Sequence, residues 1–180
     1  MQVRESTRQD LSVIREVHEN AFGQPEGPII SQLACEILVD KTALPVLSLV
    51  AEENNQIVGN ILFSAVNIEG CDADITAFIL APLAVAKEFQ AKGTGKSLIQ
   101  SGLRTLLERG AELVFVLGDP NYYSLSGFES ASSYNIMPPY QLECPEAWMV
   151  LELKQGALEK AEGIVRCCAS LASPEHWSCS

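Results

Sequence analysis

Positive charge is scarce in this chain. Its 180 residues carry 12 Lys and Arg against 23 Asp and Glu, a formal net charge of −11. Such a balance argues against a general nucleic-acid or anionic-membrane binder, because phosphate contacts are made by Lys and Arg. It is compatible with a cationic substrate. Histidine is limited to two residues, and His18 is expected on the surface of a helix. The six cysteines form no CxxC pair. Cys167, Cys168, His176 and Cys179 gather near the end at a spacing that matches no common metal site, so no metal is expected. Residues 1–7 lack the apolar core of a signal peptide, and the thiols are therefore read as reduced and the protein as cytoplasmic. No apolar run approaches the roughly 20 residues that span a bilayer. Internal repeats and low-complexity linkers are absent. What is present is globular: 47% hydrophobic and 19% charged residues, at a length that suits one domain.

The hydrophobic pattern gives an order of elements. Thr7 and Asp10 resemble a capping box, followed by Leu11, Ile14, Val17, His18 and Ala21 at helical spacing. Residues 22–28 hold two Gly and two Pro and read as a loop. Ile30, Leu33, Ala34, Ile37 and Leu38 predict a second helix, with Pro28 in its first turn. Residues 46–51 and 57–68 predict a hairpin, and residues 75–85 an almost wholly apolar central strand. Pro82 has no N–H for a ladder, so it should mark a bulge or the end of pairing. A helix through Leu98, Ile99, Leu103, Leu106 and Leu107 should end at Gly110. A short strand over 113–117, a short helix over 120–126 and strands over 134–137 and 148–153 follow. Residues 156–180 read equally as helix or, over 163–167, as strand. The predicted class is mixed α/β (α+β). A main domain is expected over residues 1–155, with 156–180 as an extension packing on it.

Chemistry is concentrated in Gln90-Ala91-Lys92-Gly93-Thr94-Gly95-Lys96-Ser97. Small residues between a strand and a helix let backbone N–H groups converge, and the helix adds its positive end, which suits a phosphate. Residues 87–109 contribute Lys87, Lys92, Lys96, Arg104 and Arg109 against Glu88 and Glu108, a local net of +3. A tight turn with a solvated helix face is the plain alternative. Among phosphate-binding patterns, the P-loop form GxxxxGK followed by Ser or Thr fits at Gly95-Lys96-Ser97. Its first glycine falls on Gln90, where a side chain is hard to accommodate.

A second resemblance is fuller. Gln90-Ala91-Lys92-Gly93-Thr94-Gly95 meets the motif of the GNAT superfamily of acetyl-CoA-dependent N-acetyltransferases in every position. Residues 82–89 resemble that family's LAVxPEYQ lead-in, and residues 121–128 its LYxxxGF signature. Gly118-Asp119-Pro120 looks like a bacterial branch. The resemblance implies a single domain with helices on both faces of a mixed sheet splayed at the fourth strand. It implies that acetyl-CoA lies beside Leu83, Ala84 and Val85, with its pyrophosphate on Gln90, Ala91, Lys92, Gly93, Thr94, Gly95 and Lys96, and with Asn121 nearby. By motif position, Tyr123 resembles the general acid, with Tyr122 as its rival. The acceptor would be a small-molecule or peptide amine attacking directly, and a homodimer is compatible. Nothing selects a general base among Glu52, Glu53, Asp72, Asp74 and a bound water. An acyl-CoA sensor and a small P-loop kinase or NTPase are the alternatives.

Overall fold

The computed structural model describes residues 1–179. Its first half runs β1 (Gln2–Glu5), α1 (Leu11–Phe22), α2 (Glu26–Val39), β2 (Val46–Glu53), β3 (Gln56–Glu69) and β4 (Ala77–Val85). Its second half runs α3 (Thr94–Glu108), β5 (Leu113–Leu117), α4 (Pro120–Tyr123), β6 (Glu129–Ser130), β7 (Ile136–Met137), β8 (Trp148–Glu152), α5 (Ala157–Lys160) and β9 (Gly163–Arg166). The strands form one nine-stranded sheet in the order β1-β2-β3-β4-β5-β8-β6. β9 adds to the far end of β3, antiparallel to Asn67–Glu69, and carries β7 beside it. The predicted hairpin is β2–β3, and the crossover through α3 makes β4 and β5 parallel.

Strand alternation divides the core in two. Ile79, Phe115 and Val150 point to the face covered by Leu33 and Ile37 of α2. Phe78, Leu80, Val114 and Val116 point to the face covered by Leu98, Ile99 and Leu106 of α3. The approach of α3 is close at Gly102, where an added Cβ would run into the Phe63 ring. Asp10 closes the α1 end as the capping pattern predicts, its carboxylate accepting from the Thr7 N–H at 2.7 Å. The Arg4 guanidinium beside Asp10 holds that carboxyl down to about 2.

Several features depart from the sequence reading. β1 was not anticipated: it is a four-residue edge strand with no hydrophobic pattern, held by Arg4 bridging Asp10 and Glu52 at 2.8 and 2.7 Å. β9 resolves the ambiguity of the last stretch in favour of a strand, with one short helical turn, α5, before it. Cys144 and Cys179 are joined in a disulfide, with Cα atoms 6.1 Å apart. The reading of all six cysteines as reduced thiols fails there, because the residues meet only when the end of the chain returns across the sheet. Trp177 anchors that return. It is buried, donates from its indole N–H to the Leu171 carbonyl at 2.7 Å, and packs edge-on against Trp148 at 5.8 Å. Asp40, after α2, accepts from the Ser170 N–H and hydroxyl and ties the same segment down. Among the described residues, no helix is long and apolar enough to cross a membrane.

His18 is not on the surface. It is fully buried, one turn beyond Ile14 on the sheet-facing stripe of α1. Its Nε2 lies 2.8 Å from Asn60 Oδ1. Asn60 gives its amide N–H groups to Ser48 Oγ and the Leu49 carbonyl, so Nε2 carries the hydrogen and Nδ1 is left without a partner. Burial pulls the imidazole down to about 4. The unfolded chain then takes up a proton near pH 6.5 that the folded protein refuses until about pH 4. Stability is full above that window and declines through it as pH falls, by about 3 kcal/mol. Urea unfolding at pH 7 and pH 4.5 measures this, and His18→Gln, which keeps the Asn60 contact but does not titrate, should show a much flatter profile.

Candidate active site

The site begins where the sheet comes apart. β4 and β5 pair only from Ala77–Leu113 to Leu80–Val116. Beyond Leu80, β4 continues to Val85 with no strand along its β5 side. On its other side, Ala81 and Pro82 together oppose Leu62 alone, between the Ile61–Leu83 and Phe63–Leu80 pairs. Pro82 thus sits in a bulge at the point where parallel pairing stops, as its missing N–H requires. The β5-facing edge of β4 is therefore open over residues 81–85.

Beyond this edge, the chain turns into α3. Gly93 precedes the helix at φ 87° and Ala91 takes φ 61°, both left-handed. The first helical bond is Ser97 N–H to the Gly93 carbonyl at 3.0 Å. The N–H groups of Thr94, Gly95 and Lys96 therefore precede any intrahelical acceptor and converge at the positive end of a 15-residue helix. Gln90 does not reach toward this point. Its side-chain N–H donates to the Val85 carbonyl at 2.8 Å and fastens the loop to β4.

These residues border a cavity of about 410 Å³ lined by Leu83, Ala84, Val85, Gln90, Ala91, Gly93, Thr94, Gly95 and Lys96. Lys92 and Asn121 do not line it. Lys92 instead sits over the Phe89 ring at 5.5 Å. The Asn121 N–H is taken by Asp119 Oδ1 at 2.9 Å, as the cap of α4. Sequence reasoning missed Ala21, Phe22 and Phe89, which with Tyr122 and Tyr123 complete the lining. The break at Gly23 was the available signal for Phe22, since it ends α1 at this spot. The side chain of Asn20, accepting from the Lys87 N–H at 2.8 Å, holds that end against the exit of β4.

The two tyrosines of α4 separate clearly. Tyr122 is half-exposed and lines only this cavity, with its hydroxyl over Gly95. Tyr123 packs edge-on against Phe128 at 5.7 Å and lines a second cavity as well. Its ring lies where a Cβ on Gly118 would be, so the glycine before Asp119 makes room for it. Burial raises the Tyr123 phenol far above the usual range, and Tyr122 adds to the shift, so the hydroxyl keeps its proton at neutral pH.

The second cavity, about 830 Å³, lies between the α1–α2 corner, the β4 and β5 ends and residues 171–179. It shares only Phe22, Leu83 and Tyr123 with the first among the described residues. Glu52, Glu53, Asp72 and Asp74 line neither cavity; Glu52 is committed to Arg4.

A splayed β4, an amide cradle at α3 and a half-buried tyrosine between two cavities agree with a sequence comparison. The profile of the acetyltransferase (GNAT) domain family matches residues 2–131. The chain belongs to the GNAT acetyltransferases. It is 37% identical over 163 residues to the Escherichia coli N-acetyltransferase YjhQ, covering 89% of this chain and 88% of that one. Among solved structures, the GNAT acetyltransferase YhbS from Escherichia coli, in complex with CoA, aligns with a TM-score of 0.86 at 27% identity, over 96% of this chain and 92% of its own. A GNAT acetyltransferase from Brucella melitensis, in complex with acetyl-CoA, aligns with a TM-score of 0.75 at 30% identity, over 94% and 97%. The GNAT acetyltransferase described here therefore transfers acetyl from acetyl-CoA to an amine. The structure gives it the expected mixed sheet, splayed at its fourth strand with helices on both faces.

Proposed function

We infer that acetyl-CoA lies along the open edge of β4, with its thioester beside Tyr123. The observation that carries this reading is the continuity of one cavity from the α3 amides, past residues 83–85, to the Tyr123 ring. The Thr94, Gly95 and Lys96 N–H groups meet the pyrophosphate, and the Lys96 ammonium adds charge attraction. Leu83 and the Val85 N–H, on the side of β4 away from β3, offer backbone groups to the pantetheine amides, and Ala84 lines the same cavity. An N–H of this stretch also faces the thioester oxygen as it gains negative charge. Tyr123 donates its proton to the departing thiolate. The CoA and acetyl-CoA complexes of the two aligned acetyltransferases support the choice of ligand. Gln90 acts by holding the loop, and Lys92 and Asn121 are assigned no contact. Gly118-Asp119-Pro120 serves Tyr123: the glycine admits its ring and the aspartate caps its turn.

Thermal denaturation tests the ligand. A ligand held at 100 times its Kd stabilises the fold by about 2.7 kcal/mol, a rise in Tm of about 5–10 °C for a chain of this size. Acetyl-CoA should produce such a rise and ATP with Mg²⁺ much less. Stabilisation by ATP alone would transfer the loop to the P-loop reading.

A further inference from the structure

The larger cavity excludes the loop and helix start of the phosphate cradle from its lining and meets the smaller cavity at Phe22, Leu83 and Tyr123. Its floor is apolar, built from Ile30, Leu33, Leu171 and Trp177 among others. Its charged lining is of one sign: Glu26, Asp119 and Glu175, with no Lys or Arg among the described residues. The same lining holds His176, on the turn anchored by Trp177. His176 is mostly covered, with 11% of its side chain exposed, and its Nε2 lies 3.7 Å from Glu175 Oε1. The other histidine, His18, is sealed under α1 and held to Asn60.

Resting on the acetyl-CoA placement above, we propose that this cleft takes a cationic amine carried on an apolar body, and that His176 removes the proton that lets it attack. The three carboxylates favour a cation and disfavour an acceptor whose body also carries a carboxylate. The apolar floor takes up the body. An alkylammonium is not a nucleophile, since its lone pair is bound to a proton. Neutral His176 accepts that proton and passes it to solvent. The freed nitrogen forms a bond to the thioester carbon as the carbon–sulfur bond breaks. The sulfur leaves with the bonding pair and takes the Tyr123 proton. The phenolate is then reprotonated by the excess N–H of the new amide nitrogen. Acetyl amide, CoA thiol and one released proton balance the alkylammonium and acetyl-CoA consumed. The titratable and charged groups that share the cavity with His176 are Glu175, at 3.7 Å, and Glu26, Asp119 and Tyr123, and the cystine Cys144–Cys179 in the same lining does not titrate.

The test uses the full chain, with acetyl-CoA binding measured by calorimetry and CoA release as the rate. Hexylamine should be acetylated. 6-Aminohexanoate should show at least tenfold lower kcat/KM, and 6-aminohexanamide, which loses the negative charge, should recover most of it. Glu175→Gln and Glu26→Gln should raise the hexylamine KM several-fold and leave acetyl-CoA affinity unchanged. His176→Gln should lower kcat/KM for hexylamine on the order of 10²-fold. It should leave O-hexylhydroxylamine, whose nitrogen is already neutral at pH 7, nearly unaffected. Equal use of hexylamine and 6-aminohexanoate would overturn the charge selection. Undiminished turnover of hexylamine by His176→Gln, or equal loss with both acceptors, would overturn the base. Acetyl-CoA binding with no turnover of any of these amines would overturn the acceptor class while leaving the cofactor reading intact. Failure of acetyl-CoA to bind would remove that reading and this inference together.

Discussion

Tyr123→Phe is expected to lower kcat on the order of 10²-fold or more while the Kd for acetyl-CoA changes by less than about twofold. The substitution removes one oxygen and keeps the ring that packs against Phe128 and fills the space beside Gly118. Folding and cofactor position should survive, so the loss falls on the chemical step. A thiolate leaving without a proton donor must be released as an anion into a largely apolar surrounding, where charge is expensive. Tyr122→Phe should behave in the opposite way. Its hydroxyl lies over Gly95 in the phosphate-facing cavity and does not border the acceptor cleft, so it should weaken acetyl-CoA binding modestly and leave kcat near normal. Steady-state kinetics and calorimetry on the two variants side by side decide the matter. Loss of kcat in Tyr122→Phe with full activity in Tyr123→Phe would exchange the two roles.

Gly95→Val should abolish measurable acetyl-CoA binding, raising Kd by on the order of 100-fold, while the protein stays folded. A Cβ at Gly95 would collide with the Tyr122 hydroxyl, and the valine methyls would stand among the N–H groups of the first α3 turn. Phosphate oxygens approach such a cradle to hydrogen-bond distance only when no side chain intervenes. Stability should change little, because valine is a better helix former than glycine by about 0.4 kcal/mol and Gly95 has no left-handed φ to defend. Calorimetry with acetyl-CoA and circular dichroism on the same sample provide the check. An unchanged Kd in a folded variant would place the pyrophosphate elsewhere.

The cofactor side of the site was readable in the sequence because its chemistry is local. Gly93 and Gly95 stand two residues apart at a strand-to-helix turn, and Pro82 breaks an apolar strand, so spacing alone brings them to one loop and one strand end. The long hairpin, β4, α3 and β5 were legible for a related reason: each buries a face with its own period. The second cavity was not legible from the pattern of residues. It is assembled from the α1–α2 corner, the ends of β4 and β5, and residues 171–179, and no pattern in any one of these segments points to the others. The Cys144–Cys179 link belongs to the same class, since it depends on the return of the chain past Trp177. His18 was misread because a polar side chain on an apolar stripe signals nothing about Asn60, 42 residues away. β1 escaped because a short charged edge strand has no hydrophobic period to detect.

The meeting of the two cavities at Phe22, Leu83 and Tyr123 governs the order of events in a turnover. On the proposed placement each substrate has its own cavity. A bound cofactor seals the inner end of the acceptor cleft without blocking its mouth, and a bound amine leaves the nucleotide end free. Neither molecule has to wait for the other, so assembly of the ternary complex can begin from either side. The three shared residues mark where, on this placement, the acetyl group passes from one substrate to the other.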